Sequence, residues 1–337
     1  MTKRNIQSNN ELREPFLLKP ASKDYLWGGT RLNDEFSKNI SSDIVAETWE
    51  CSTHQDGVST IASGINNGTK LDSFIFQNPC VLGKRWEHLK ELPILVKLID
   101  AKKDLSIQVH PDDEYAKVNE NGQNGKIELW YILDAKKGSK IVYGLSHDVP
   151  KEVFRKSIKN GKINNYLQKI NVNSDEIYLI EPGLIHAIGE GVLLAEVQES
   201  SNLTYRLYDY DRRDKNGNKR ELHIDKALDV SKLRASIEPT QPMRVLNYVP
   251  GCASELLSRC KYFQVERIIV NTERTRDMVS YKTNDLSFKV LLCIKGCCSL
   301  TFANRSLNVF KGDCVFVPAN SEEIKIHGCA QFLSIVC

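Results

Sequence analysis

The sequence predicts a mainly β chain built as two jelly-roll barrels or sandwiches with a few helices inserted. Three observations predict it. Short stretches rich in Val, Ile, Leu and Tyr recur between Gly, Asn, Asp or Pro punctuation. Within several of them, apolar and polar residues alternate with the period of two that a strand imposes. A segment with three prolines, ASIEPTQPMRVLNYVPG (235–251), separates two such series. The chain of 337 residues also exceeds what one ordinary core holds. The expected division is 1–240, with the helical inserts, and 241–337.

In chain order, the first series contains PILVKLIDA (93–101), LSIQVH (105–110), KIELWYIL (126–133), SDEIYLIEPG (174–183), GVLLAEVQE (191–199) and LTYRLYDYD (203–211). Two interludes read as helical: 150–170, where Val153, Phe154, Ile158, Tyr166, Leu167 and Ile170 give a broken 3.6 period, and HIDKALDVSKL (223–233). RRDKNGNKRE (212–221) is a charged turn with Asn-Gly at its tip. After the proline segment come YFQVERIIV, SFKVLLCIKG, CSLTFANRSLNVFKGD, CVFVPA, EIKIHG and QFLSIVC.

Composition excludes several classes. With 46 basic against 43 acidic residues the net charge is +3, which gives no support for nucleic-acid binding. No run of 18 apolar residues is present, so no membrane span is expected. MTKRNIQSNNELREPF has no apolar core of a secretory signal. Ten cysteines without a CxxC pair read as reduced thiols in a cytoplasmic protein rather than as disulfides or a zinc knuckle.

The chemistry concentrates in four segments. In LSIQVHPDD, Leu105, Ile107 and Val109 point to a core, and Ser106, Gln108 and His110 point together to the other side. In KIELWYIL, Lys126, Glu128 and Trp130 share one face, and the turn formers of NENGQNG allow the two strands to lie side by side. Polar faces inside apolar strands are costly to bury without partners. A cation shared by His110, Glu128 and Gln108 would supply one. His186 follows the Pro182-Gly183 turn in IEPGLIHAIGEG (180–191) and completes a His-His-Glu set, the usual protein donors of a catalytic zinc. In AEVQESSNLTYRLYDYDR (195–212), Glu196 and Gln198 share one face, as do Thr204, Arg206, Tyr208 and Tyr210. An inward Arg206 suits a phosphate or a developing enolate oxygen. Lys97 stands alone inside PILV-K-LIDA, an odd place for a charge unless it faces a pocket. Plainer readings stay open: histidines hydrogen-bonded for structure, Glu128 paired with Lys126 on a solvated face, and Arg206 paired with Glu196.

Together these segments resemble the type I mannose-6-phosphate isomerases, most closely their short bacterial form. The resemblance runs from PFLLKP (15–20) and YLWGGTRL (25–32) through AETWECSTHQDGVSTIASG (46–64) to YRLYDYDRRD, and covers nearly the whole chain. QVHPDD, GKIELWYIL and PGLIHAIG in this order make the match specific. The resemblance implies cupin-type barrels, with one zinc per chain held by Gln108, His110, Glu128 and His186. From about residue 250 onward the only histidine is His327, and KGDCVFVPA has the turn and strand pattern of a cupin without His-x-His ligands, so a metal-free C-terminal domain is expected. The resemblance also implies reversible conversion of D-mannose 6-phosphate to D-fructose 6-phosphate through an enediol(ate). Arg206 matches the family's catalytic arginine, Lys97 and Lys126 its lysines near the site, and Glu196 its acidic strand residue. Lys97 and Ser106 are expected to touch the sugar phosphate, and the candidate bases are zinc-bound hydroxide, Lys126 and Glu196. Longer members carry a histidine before the lysine of the K-x-E motif; Gly125 stands there, so any role of that histidine does not transfer. Two rivals remain: a non-haem iron oxygenase using His110, Asp112 and His186, and a sugar-binding cupin without catalysis.

Overall fold

The computed structural model describes residues 11–214, 216–274 and 277–337. Residues 1–10, most of the segment on which the leader reading rests, and Lys215 in the charged turn lie outside them. The elements run β1 (Phe16–Lys19), β2 (Ala21–Lys23), α1 (Arg31–Phe36), β3 (Glu47–Cys51), β4 (Thr60–Ile61), α2 (Leu71–Gln77), β5 (Ile94–Ala101), β6 (Ile107–Val109), α3 (Asp113–Asn119), β7 (Glu128–Ala135), β8 (Lys140–Leu145), α4 (Lys151–Lys159), β9 (Leu167–Asn171), β10 (Ile177–Ile180), β11 (His186–Ile188), β12 (Val192–Glu199), β13 (Tyr205–Tyr208) and α5 (Ile224–Val230). They continue β14 (Asn247–Val249), β15 (Cys252–Arg259), β16 (Gln264–Asn271), β17 (Val279–Tyr281), β18 (Lys289–Phe302), β19 (Arg305–Phe310), β20 (Cys314–Val317) and β21 (Ile324–Val336). The described residues are mainly β, in antiparallel sheets. No described helix is long and apolar enough to cross a membrane.

Three sheets build it. A six-stranded sheet in the order β10-β7-β12-β5-β3-β2 faces a five-stranded one, β13-β6-β11-β8-β9. Between them lies an apolar layer that includes Trp27, Ile99, Trp130, Ile188 and Leu194. The outer face of the five-stranded sheet is covered by α4 and α5, which bury Phe154, Ile158, Ala227 and Leu228 against Ile107, Val109 and Leu207. The ten-stranded third sheet holds the C-terminal strands, and β1 and β4 join it: β1 pairs with β20, Phe16 opposite Phe316. One core spans the third sheet and the outer face of the six-stranded one, uniting Val96, Leu129 and Val197 with Phe288, Phe316 and Leu333.

Two local expectations are corrected. Residues 150–170 are not one helical interlude: α4 ends at Lys159, Gly161 takes φ +65°, and a short 3-10 turn (Ile163–Asn165) leads into β9. Two elements of different period had merged into one broken pattern. Nor do β6 and β7 lie side by side; they belong to opposite sheets. The turn formers between them end α3, with Asn121 and Gly122 at positive φ, instead of closing a hairpin.

Candidate metal centre and active site

The site lies between the two facing sheets, and register assembles one wall of it. On the five-stranded sheet, Gln108 of β6 stands opposite His186 of β11 on one side and Arg206 of β13 on the other. Directly opposed residues share a face, so these three side chains form a row. His110 follows β6, and its carbonyl accepts the N–H of Gly183 at 2.9 Å. Gly183 needs its lack of a side chain there: φ is +83°, and a Cβ would sit 2.8 Å from the Val230 carbonyl. That contact fixes the loop that delivers His186. From the facing sheet come Glu128 (β7), Glu196 (β12) and Lys97 (β5), with Glu196 opposite Lys97 on one neighbour and Trp130 on the other.

His110, Glu128 and His186 meet. Each offers a ligand atom within 4.8 Å of the others, and all three are buried. Nε2 of His110 lies 3.1 Å from Nε2 of His186 and 3.3 Å from Oε1 of Glu128. Nδ1 of His186 donates to the Leu184 carbonyl at 2.8 Å, so its Nε2 lone pair faces the centre. The Trp130 ring meets His186 edge-on, 5.6 Å between centroids. Burial, then the Lys126 charge, pushes His110 down to about 3. Burial likewise lowers His186. Burial opposes the charged form of Glu128, yet Lys126 and the imidazoles outweigh it and hold the carboxyl well below its ordinary value. Neutral imidazoles and an ionised carboxylate are the protonation states that bind a metal. Neither Glu128 oxygen makes a well-formed hydrogen bond, and His110 Nδ1 has none. Two imidazole nitrogens and a carboxylate gathered at one buried point are the donor types that zinc takes, so the donor set fits a metal. Gln108 Nε2 lies 3.3 Å from His186 Nε2, and half a turn of its amide would bring the oxygen there instead.

In front of this cluster opens a cavity of about 310 Å³, within the size range of small-molecule sites. Its walls carry Lys97, Ser106, Gln108, Lys126, Glu128, Glu196 and Arg206. Lys126 Nζ lies 2.6 Å from Glu128 Oε1, a buried pair rather than one on a solvated face. Glu196 receives Lys97 at 2.9 Å and Trp130 Nε1 at 2.9 Å. Burial, then repulsion from Glu128, raises the Glu196 carboxyl above its ordinary value. Lys97 is held charged against burial by Glu196 and Glu47. Arg206 does not pair with Glu196. Its Nη1 donates to the Glu221 carbonyl at 2.8 Å, and no carboxylate pairs with it among the described residues. Asp209 instead takes Arg212 and Arg220.

Three expectations shift. Tyr208 leaves the Arg206 face, because a register shift falls between them and turns it toward the helix-covered core. Leu105 sits in the cavity wall, apart from the core of Ile107 and Val109. Asp112, the carboxylate of the iron alternative, is exposed and caps α3, accepting the Tyr115 N–H at 2.8 Å. Residues not anticipated also line the cavity: Tyr25, Trp27, Glu47, Asn202 and Arg220. Glu47 opens β3, whose sequence ETWEC mixes charged and apolar residues and so does not single it out as the apolar surroundings of Lys97 do. Arg220 had no signal either, since it is one charge among many in the charged turn.

The family described as phosphomannose isomerase type I, catalytic domain, matches residues 16–153, and mannose-6-phosphate isomerase, cupin domain, matches 254–336. Mannose-6-phosphate isomerase ManA of Bacillus subtilis is 34% identical over 330 residues, 94% of this chain and 97% of that protein. The crystal structure of the mannose 6-phosphate isomerase from Bacillus subtilis has a TM-score of 0.86 at 32% identity, covering 95% of this chain and 99% of that one. A zinc-bound holo mannose 6-phosphate isomerase, 17% identical, shares the fold with a TM-score of 0.73, covering 95% and 98%. This chain belongs to the type I mannose-6-phosphate isomerase family.

Proposed function

We propose that the chain interconverts D-mannose 6-phosphate and D-fructose 6-phosphate in the cavity between the two facing sheets. The observation that carries the reading is the convergence of His110, Glu128 and His186 at the end of a cavity lined by Lys126, Glu196 and Arg206. We assign one zinc to the cluster, with Gln108 as the fourth protein ligand. When bound, the metal supplies Lewis-acid stabilisation of the sugar oxygens at C1 and C2.

The chain's own groups do the rest. Isomerisation moves a proton from C2 of the open-chain aldose to C1. Glu196 is the carboxylate we assign to carry it: its raised affinity for a proton suits general acid–base work, and each oxygen keeps a lone pair beyond the bonds to Lys97 and Trp130. Lys126 and Arg206 set positive charge on the cavity wall where negative charge develops on oxygen. Ser106 offers a hydroxyl and Lys97 an ammonium to the sugar phosphate, and Lys97 also fixes Glu196. Residues 1–240 carry the site, and 241–337 support it without a metal. The phosphorylated substrate and the free thiols support a cytoplasmic setting. The test is a coupled assay for fructose 6-phosphate on purified protein of known metal content. Metal-replete protein that makes no fructose 6-phosphate from mannose 6-phosphate refutes the proposal.

A further inference from the structure

All ten cysteines are free, and two of them stand opposite each other on the protein surface. Cys297 of β18 and Cys329 of β21 are directly paired in the antiparallel ladder. Both are exposed, whereas their chain neighbours Cys298 and Ala330 are buried in the C-terminal core. Strand alternation therefore turns Cys297 and Cys329 outward together. Opposed residues in an antiparallel ladder have Cα atoms about 4.5 or 5.5 Å apart, depending on the pair type. Both spacings fall inside the roughly 4.4–6.8 Å range that disulfides span. Two residues along the same outer face stand Lys295 on β18 and His327 on β21, both exposed. An accessible setting with the Lys295 ammonium on the same face favours reaction of a thiol. No cysteine lines the cavity of the isomerase site, so its chemistry leaves this pair unused.

We propose that Cys297 and Cys329 form a surface dithiol that undergoes exchange with small-molecule disulfides of the glutathione class, closing a reversible cross-strand disulfide. One cysteine, as thiolate, attacks a sulfur of the small disulfide RSSR; that S–S bond breaks and RS⁻ leaves. The opposite cysteine, as thiolate, attacks the protein-bound sulfur and expels the second RS⁻. The two cysteines give up two protons and two electrons, and one RSSR becomes two RSH. The second step is favoured because the attacking sulfur is already adjacent, so the mixed adduct is short-lived at this pair. Cys80 is exposed as well but lies in a short 3-10 helix (Pro79–Leu82), outside this ladder, which makes it an internal control.

The experiment incubates the full metal-loaded chain with oxidised glutathione, blocks remaining thiols with iodoacetamide, and maps peptides by mass without reduction. The expected result is a Cys297–Cys329 cross-link lacking two hydrogens, with the glutathione adduct retained on Cys80. In Cys297→Ser the adduct should persist on Cys329, and dithiothreitol should restore both thiols in the wild type. Persistent separate adducts on wild-type Cys297 and Cys329, or recovery of both as alkylated thiols while Cys80 is modified, would overturn the proposal. Because the wild-type measurement decides, the outcome does not depend on the variant folding.

Discussion

Replacing Arg206 by lysine separates catalysis from structure at one position. The guanidinium is half-buried, donates one hydrogen bond to the Glu221 carbonyl at 2.8 Å, and leaves its Nε buried without a partner. Burial, then repulsion from Arg220, pushes its proton affinity down. A positive charge held there without a carboxylate partner suits an anion arriving from outside. The structural loss in Arg206→Lys is one hydrogen bond to a neutral carbonyl, about 1 kcal/mol. That corresponds to a melting shift of roughly 2–4 °C for domains of this size. Losing an oriented charge stabiliser costs about 2.7–4 kcal/mol in the transition state, or roughly 10²–10³ in kcat. Lysine keeps the charge but not the planar fork. The chemical loss therefore exceeds the structural one. We expect kcat, followed by coupled fructose 6-phosphate detection, to fall by about a hundredfold or more, with metal content and Tm near wild type. A fall below about threefold in protein shown to be folded and metal-loaded would refute the reasoning, since an oriented charge facing the developing oxyanion contributes far more than that.

Other expectations follow from the same geometry. His110→Ala and Glu128→Gln should lose stoichiometric metal and activity together, whereas Asp112→Asn should keep both, because that carboxylate caps α3; elemental analysis of the purified variants decides, and the opposite pattern restores the iron alternative. Lys97→Met strands Glu196 without its cation in a buried site and should cost about 3–5 kcal/mol of stability. Adding Glu196→Gln should recover part of that loss in denaturant titrations, and strictly additive losses would rule the pairing out. Burial, then repulsion from Asp113, raises Glu199 to about 8. An unfolded glutamate loses its proton near about 4.3, so the folded state alone holds the proton in between and stability falls as pH rises through that window. Glu199→Gln should therefore be more thermostable than wild type at pH 8 and lose that advantage toward acid pH; parallel Tm-versus-pH curves would contradict this. A chain ending near residue 240 removes β20, the partner of β1, together with about a third of the shared core. It should not fold to active protein, and full activity from it would refute that dependence.

Much of the site was legible because strand alternation acts locally. Ser106, Gln108 and His110 were readable as one polar set, and Lys126 with Glu128 as another, since a period of two requires only neighbouring residues. Lys97 was legible as a charge among apolar residues. Alternation fails where a strand bulges, and the shift between Arg206 and Tyr208 is one such place. It also says nothing of partners. Nothing in sequence decided whether Glu196 would take Arg206 or Lys97; the cross-strand register of β12 and β5 decided it. Arg220 was invisible for the same reason, reaching the cavity by a path through the charged turn.

The order of motifs along the chain, with their spacing and local periods, determined by themselves the β class, the family and the candidate residues of the site. Those properties depend on residue type and on short-range backbone geometry. Only the tertiary structure decided that β6 and β7 face each other across the sandwich, so that His110 meets Glu128 through space and not along a hairpin. It also decided that the N-terminal strand belongs to the C-terminal sheet, and that Cys297 meets Cys329 across thirty-odd residues of chain. Such contacts are fixed by which distant strands pair and in what register. That choice follows from packing one shared core, a property of the whole chain that no local window contains.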